Sequence, residues 1–249
     1  MRRVHRLLIC LALLSSAPGM GAGADQHVRV GIYANPPKIF VNADGKADGI
    51  MIDLLREIAA NENWTLEFVQ CEWAACLRAL DNAGIDLLPD VAWSEERSRS
   101  FDFHATPALH GWSQVYRHPS VAIVSLKDLD GKRIAILGGS IQQKFVEGFW
   151  REFGVRPILI PVASIEEAFA LVNGRKADAI VANNHAGDMY AVTRGLVETP
   201  IAFQPVRLFY AAPKGRGGDR LAAIDRHLSA WQGNPDSPYF KVLQRWQKR

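Results

Sequence analysis

The sequence predicts an α/β fold of two lobes separated by a hinged cleft, and three patterns carry that expectation. Short apolar strands alternate with amphipathic helical segments. The alternation restarts halfway along the chain, and two extended segments are placed to cross between the halves. Strands alternating with helical patterns indicate parallel sheet with right-handed crossovers.

The first 24 residues stand outside this pattern. Arg2, Arg3 and Arg6 precede an apolar run from Leu7 to Leu14, and small residues follow to Ala22-Gly23-Ala24. That order is the order of a secretory signal, with cleavage expected after Ala24. The apolar core is shorter than the ~20 residues that span a bilayer. Cys10 lies within it, too early for a lipoprotein cleavage site. A soluble periplasmic product is expected. The full chain has 29 basic and 26 acidic side chains, and the signal carries three arginines and no acid. The remaining 225 residues are therefore formally neutral, with 26 charges of each sign. No basic field suited to nucleic acid is present.

In the first half, VRVGI (28–32) alternates as a strand, and MIDLLREIAANE (51–62) sets Ile52, Leu55, Ile58 and Ala59 on one helical face. LEFVQ reads as a strand, AACLRALDNAG as a helix and IDLLP as a third strand. CEWAAC holds Cys71 and Cys76 between strand and helix. An exported protein permits a disulfide there, but two separate buried thiols fit the spacing equally. A zinc site lacks further ligands.

The second half repeats the order. A strand at 133–137 leads to a helix through SIQQKFVEGFWREFG; PILIPV, SIEEAFALVNG and ADAIVAN follow as strand, helix and strand. An internal echo relates Gly84 and Asp86 to Gly174 and Asp178, allowing two extra residues in the second turn. The crossing segments are HGWSQVYRHPSVAIVSLKD (110–128) and FQPVRLFYAAPKG (203–215). GDRLAAIDRHLSAW and YFKVLQRW are terminal helices expected to pack back on the first lobe. Residues 25–116 and 211–249 are thus assigned to lobe 1, and 117–210 to lobe 2.

VRVGIYANPPKIF, GIMIDLLREIA, WSEERSRSFDF, SLKDLDGKRIAILGGS, NGRKADAIVAN and SPYFKVLQRW, in this order and spacing, resemble the type II periplasmic binding proteins of solute-binding family 3. That group includes amino-acid receptors and the sensor domains of signalling kinases. The resemblance covers the chain after residue 24, and implies a receptor closing on a small carboxylated solute. It implies an ABC-transporter permease or a membrane sensor kinase as partner, a monomeric state and no cofactor.

The same resemblance marks the site. The arginine of SEER, Arg97, is implied as the carboxylate clamp, a role its planar, permanently charged fork suits. Ser94 stands where a helix-capping hydroxyl is expected, with contact to the ligand as its second role. In LGGS, Ser140 either caps a helix or joins its N-terminus in completing the carboxylate site. Asn183 stands where amino-acid receptors often present an aspartate to the ligand ammonium. Asp90 and Ala92 match small or hydroxyl-bearing positions, so Asp90 either receives an ammonium or caps backbone. These departures weigh against a standard α-amino acid. Tyr33 and Trp73 follow the first two strands, where the family often contacts ligand. Either ring could instead fill a core.

An enzyme is the competing reading, because a few proteins of this fold dehydrate cyclohexadienyl substrates with a cleft carboxylate. Asp90, Glu72 and His185 are the residues weighed for it. A pure protein-interaction domain would instead leave Tyr33, Trp73 and Arg97 remote from the interlobe space.

Overall fold

The computed structural model describes residues 26–247; the expected signal segment lies outside the described residues. In chain order the elements are β1 (Gln26–Ile32), β2 (Phe40–Val41), β3 (Ala47–Asp48), α1 (Ile50–Glu62), β4 (Trp64–Gln70), α2 (Trp73–Asp81), β5 (Leu88–Ala92), α3 (Glu95–Ser100), β6 (Phe101–Phe103) and β7 (Leu109–Arg117). There follow β8 (Arg133–Leu137), α4 (Ile141–Glu152), β9 (Ile158–Val162), α5 (Ile165–Asn173), β10 (Ala179–Asn183), α6 (Asn184–Arg194), β11 (Val197–Pro213), α7 (Gly218–Gln232) and α8 (Pro238–Gln247). Among the described residues no helix is long and apolar enough to cross a membrane.

β1 and β4 pair in parallel, and Val30 bridges to Leu87 just before β5. A second sheet runs β5-β11-β7-β10-β8-β9, with β6 on β11. Its parallel half, β10-β8-β9, belongs to the second repeat. β11 pairs with β5 and β6 at one end and with β7 along its length, so the two crossing segments lie side by side. Their register shifts between Glu198 and Ala202 and again between Phe203 and Val206. Gln204, in the second break, has φ 50°.

Helix α1 buries Met51, Leu54, Leu55 and Ile58 against Val28 and Val30 of β1, Leu221 and Ile224 of α7, and Val242 of α8. The expected face was thus too narrow, because α1 is covered by sheet on one side and by the terminal helices on the other. Those helices pack on the first lobe as expected: Trp246 Nε1 donates to Asp53 of α1 at 3.0 Å. A separate cluster around Ile134, Ile136, Trp150 and Val181 forms the far core of the second repeat.

The internal echo is structural, with a corrected register. Arg29 N and Nε donate to Asp86 Oδ2 at 2.9 and 3.1 Å, and Nη2 reaches the Ala83 carbonyl at 3.0 Å. Arg133 N and Nε donate to Asp178 Oδ2 at 2.8 and 3.2 Å, and Nη2 reaches the Arg175 carbonyl at 3.0 Å. Ala83 and Arg175 share φ 58°. Asp86 therefore matches Asp178 without insertion, while Gly84 and Gly174 are not equivalent. The same turn displaces the expected strand at IDLLP. Asp86 N and Leu87 N are held by the Arg29 carbonyl, so pairing with β11 begins only at Leu88. Cys71 and Cys76 are joined in a disulfide between β4 and α2.

His104 is buried against Phe209 and Tyr210, and its Nε2 accepts a hydrogen bond from Tyr210 N at 2.9 Å. Burial lowers its pKa from the ordinary 6.5 to about 4. The folded value lies below the unfolded one, so its contribution is full above pH 6.5 and is lost as pH falls through 4. Urea unfolding across that window should show about 3 kcal/mol of acid destabilisation in excess of that of His104→Gln.

Candidate functional site

The C-terminal ends of β1, β5, β8 and β10 and the N-termini of α2, α4 and α5 converge on one enclosed cleft between the repeats. In open α/β sheets this is where ligands bind. The cavity is about 50 Å³, a third of the roughly 150 Å³ that admits benzene. Contacts from Arg97 to Gly139 and from Asn183 to Asn35 span the cleft in this conformation. Of the seven residues marked from sequence, Tyr33, Trp73, Asp90, Arg97, Ser140 and Asn183 line the cavity, and Ser94 does not.

Ser94 caps α3, its Oγ accepting from Arg97 N at 3.2 Å. That cap starts a one-turn helix that turns the Arg97 side chain back towards the sheet. Nη1 donates to the Ala92 carbonyl at 2.9 Å, and the guanidinium lies 5.1 Å from the Trp73 ring centroid. Nη2 reaches the Gly139 carbonyl of the second repeat at 3.5 Å. Burial lowers the pKa of Arg97, yet a guanidinium stays charged at any working pH. The Trp73 indole N–H is buried and has no acceptor among the described residues, a costly condition for a donor.

Asp90 occupies β5 with φ 62°, a left-handed conformation that aspartate tolerates better than most residues. Tyr210 opposite is skipped in the pairing with β11. The Asp90 carboxylate is almost fully saturated. Lys38 Nζ donates to Oδ1 at 2.7 Å, Asn35 Nδ2 to Oδ2 at 2.7 Å and Tyr33 Oη to Oδ2 at 2.9 Å. Both charged side chains are 1% exposed. Burial, opposed by Asp90, lowers the Lys38 pKa; burial and then the Asp90 charge raise that of Tyr33.

Sequence reasoning missed Lys38 and Asn35. Lys38 looked like an ordinary loop cation in PPKIF. Its one local signal is Gly49, where a Cβ would lie 2.3 Å from the Lys38 carbonyl oxygen. Without a side chain there, α1 begins against the loop, and Met51 N donates to that carbonyl at 2.9 Å.

The second repeat supplies helix N-termini. Ser140 is buried and caps α4, its Oγ accepting from Gln143 N at 3.2 Å. Asn183 caps α6 through Oδ1, which accepts from Ala186 N, and its Nδ2 donates to Asn35 Oδ1 across the cleft at 3.1 Å. A Glu96–Lys144 ion pair also joins α3 to α4.

The residues weighed for acid–base chemistry do not meet. Glu72 is exposed and lines a different surface pocket with Glu166 and Tyr190. The His185 ring pairs with the His110 carbonyl at 2.8 Å, outside the cavity lining, and its pKa is lowered by burial. Among the described residues no group of three His, Cys, Asp or Glu could hold a metal ion.

A buried ion pair broken on one side typically costs about 3–5 kcal/mol. Lys38→Met should lose stability on that scale in urea titrations, and Lys38→Met/Asp90→Asn should regain most of it.

Residues 28–130 match the family model of bacterial extracellular solute-binding proteins, family 3. The histidine-binding periplasmic protein of Escherichia coli (strain K12) is 24% identical over 207 residues, covering 80% of this chain and 75% of that protein. A histidine kinase sensor domain similar to periplasmic binding proteins superposes with TM-score 0.78 at 24% identity, over 89% of this chain and 96% of that one. The ancestral amino acid-binding protein AncCDT-1, a precursor of cyclohexadienyl dehydratase, superposes with TM-score 0.78 at 23% identity, over 88% and 95%. At these identities the structural likenesses show the fold.

Proposed function

We propose that this chain, whose residues 28–130 match the family model of bacterial extracellular solute-binding proteins, family 3, is a periplasmic receptor closing on one small carboxylated solute. The observation that carries this reading is the Arg97 guanidinium. It is half-buried against Trp73 and Ala92 and directed across the cleft to the turn that starts α4. A solute carboxylate would take the Arg97 fork from one side and the Ser140 hydroxyl with the α4 N-terminus from the other. Residues 25–116 with 211–249 act as one lobe and 117–210 as the other. The crossing strands β7 and β11 carry the bend, since small dihedral changes in crossing strands can move whole lobes. The resulting lobe angle is what a permease or a membrane sensor kinase would read. Export through a cleaved signal at residues 1–24 completes this reading. A dehydratase would need an available acid in the cavity, and Asp90 is committed to Lys38, Asn35 and Tyr33.

Thermal unfolding should be followed against a panel of small carboxylic acids, with amines as controls. A ligand of the native state present at 100 times its Kd adds about 2.7 kcal/mol, a Tm rise of roughly 5–10 °C. Arg97→Ala should weaken binding about 100-fold, because it removes a charged partner from a desolvated site. Arg97→Lys should fall between. A carboxylate-dependent rise unchanged by Arg97→Ala would overturn the clamp.

A further inference from the structure

Lys38 and Asp90 bear on what kind of solute fits. Among the described residues lining the cavity Asp90 is the one acid, while Arg97 and Lys38 are the cations. A solute ammonium entering this closed site would need a carboxylate or a set of vacant acceptor oxygens. The Asp90 carboxylate already receives Lys38, Asn35 and Tyr33, and its main-chain carbonyl receives Tyr33 Oη at 3.0 Å. The Ala92 carbonyl receives Arg97, Asn35 Oδ1 receives Asn183, and Asn183 Oδ1 receives Ala186 N. Donors are in the opposite condition. The Trp73 N–H lacks an acceptor, the Arg97 fork has N–H groups beyond its two carbonyl contacts, and the α4 N-terminus faces the same space.

Resting on the carboxylate reading above, we propose that the solute is an anionic acid without an ammonium group: a plain, 2-oxo or 2-hydroxy carboxylic acid. Lys38 is the protein's own tethered ammonium, fixed on the carboxylate that an amino acid would otherwise engage. The cavity charge of Arg97, Lys38 and Asp90 sums to one positive unit, which a single carboxylate neutralises. Asn183 bridges to Asn35 with a neutral amide, so closure adds no second acid. A solute ammonium would be enclosed beside two cations with no unpaired acid to receive it, and its desolvation would be poorly compensated.

The test uses matched probes on the purified protein. Each two- to six-carbon skeleton is titrated calorimetrically as the plain, 2-oxo, 2-hydroxy and α-amino acid. The expected result is binding by at least one ammonium-free acid, with the amino acid of the same skeleton at least 30-fold weaker. An amino acid binding as tightly as its oxo or hydroxy counterpart, with affinity lost in Arg97→Ala, would overturn this inference and leave the clamp standing. Failure of every carboxylate in the panel would overturn both. Lys38→Met, where it remains folded, should gain at least tenfold affinity for the amino acid of the preferred skeleton by freeing Asp90. Lys38→Met/Asp90→Asn, which removes both charges of the pair, should show no such gain. An equal gain in both variants would overturn the role given to Lys38.

Discussion

An ammonium and a carboxylate, both withdrawn from water, meet at 2.7 Å where Lys38 reaches Asp90. Neither charge could occupy that place alone, since an unpaired buried ion carries a desolvation penalty of several kcal/mol. Much of the surrounding architecture satisfies this pair. Asn35 and Tyr33 fill the second carboxylate oxygen, the left-handed backbone at Asp90 places the carboxylate at the cavity, and Gly49 lets α1 close on the Lys38 loop. Asn35 then passes the network to Asn183 in the other repeat. A buried pair of this kind contributes less net stability than its Coulomb attraction suggests. Its clearer effect is to decide which charges remain for a visitor.

The two repeats use the same device at the same place. An arginine in each first strand clasps an aspartate at the entrance to the third, and its outer nitrogen ties down a left-handed residue after the intervening helix. The side chains are partly exposed, 39% for Arg29 and 42% for Arg133, so each clasp adds modest energy. What the clasp specifies is the path from helix to strand, and hence where the strand ends deliver their residues. In one repeat those ends carry Tyr33 and Asp90; in the other they carry Ser140 and Asn183. A repeated scaffold thus supports two faces of different chemistry, one built around a paired acid and the other around capped helix starts.

Few polar contacts cross the cleft. Arg97 to Gly139, Asn35 to Asn183 and Glu96 to Lys144 span it, and the first of these is long at 3.5 Å. Apolar burial joins the repeats as well, since one buried cluster runs from Tyr33, Trp73 and Leu88 to Leu137, Ile165 and Phe169. Two further cores, around α1 and around Trp150, lie each within one repeat.

Most of the fold was legible because its signals are local. Periodicity marks α1, the edges of β8 and the terminal helices, and the order of strands and helices marks the α/β class. Where the reading slipped, at the strand beginning only at Leu88, a distant partner decides, because Arg29 holds the turn before β5; α6, also unread, starts from a local cap at Asn183. The Arg97 motif and the capping serines were visible because short-range spacing determines a helix start. Lys38 was not, because nothing in PPKIF indicates that its ammonium lies against a carboxylate 52 residues away. The disulfide likewise stayed open, since spacing permits a bridge but only the approach of β4 to α2 brings the sulfurs together. By itself the sequence determined the secondary elements, their repeat and the arginine presented to the cleft. Only the tertiary structure decided that the cleft's acid is already answered from within the chain, because a buried charge takes its meaning from the groups that replace water around it.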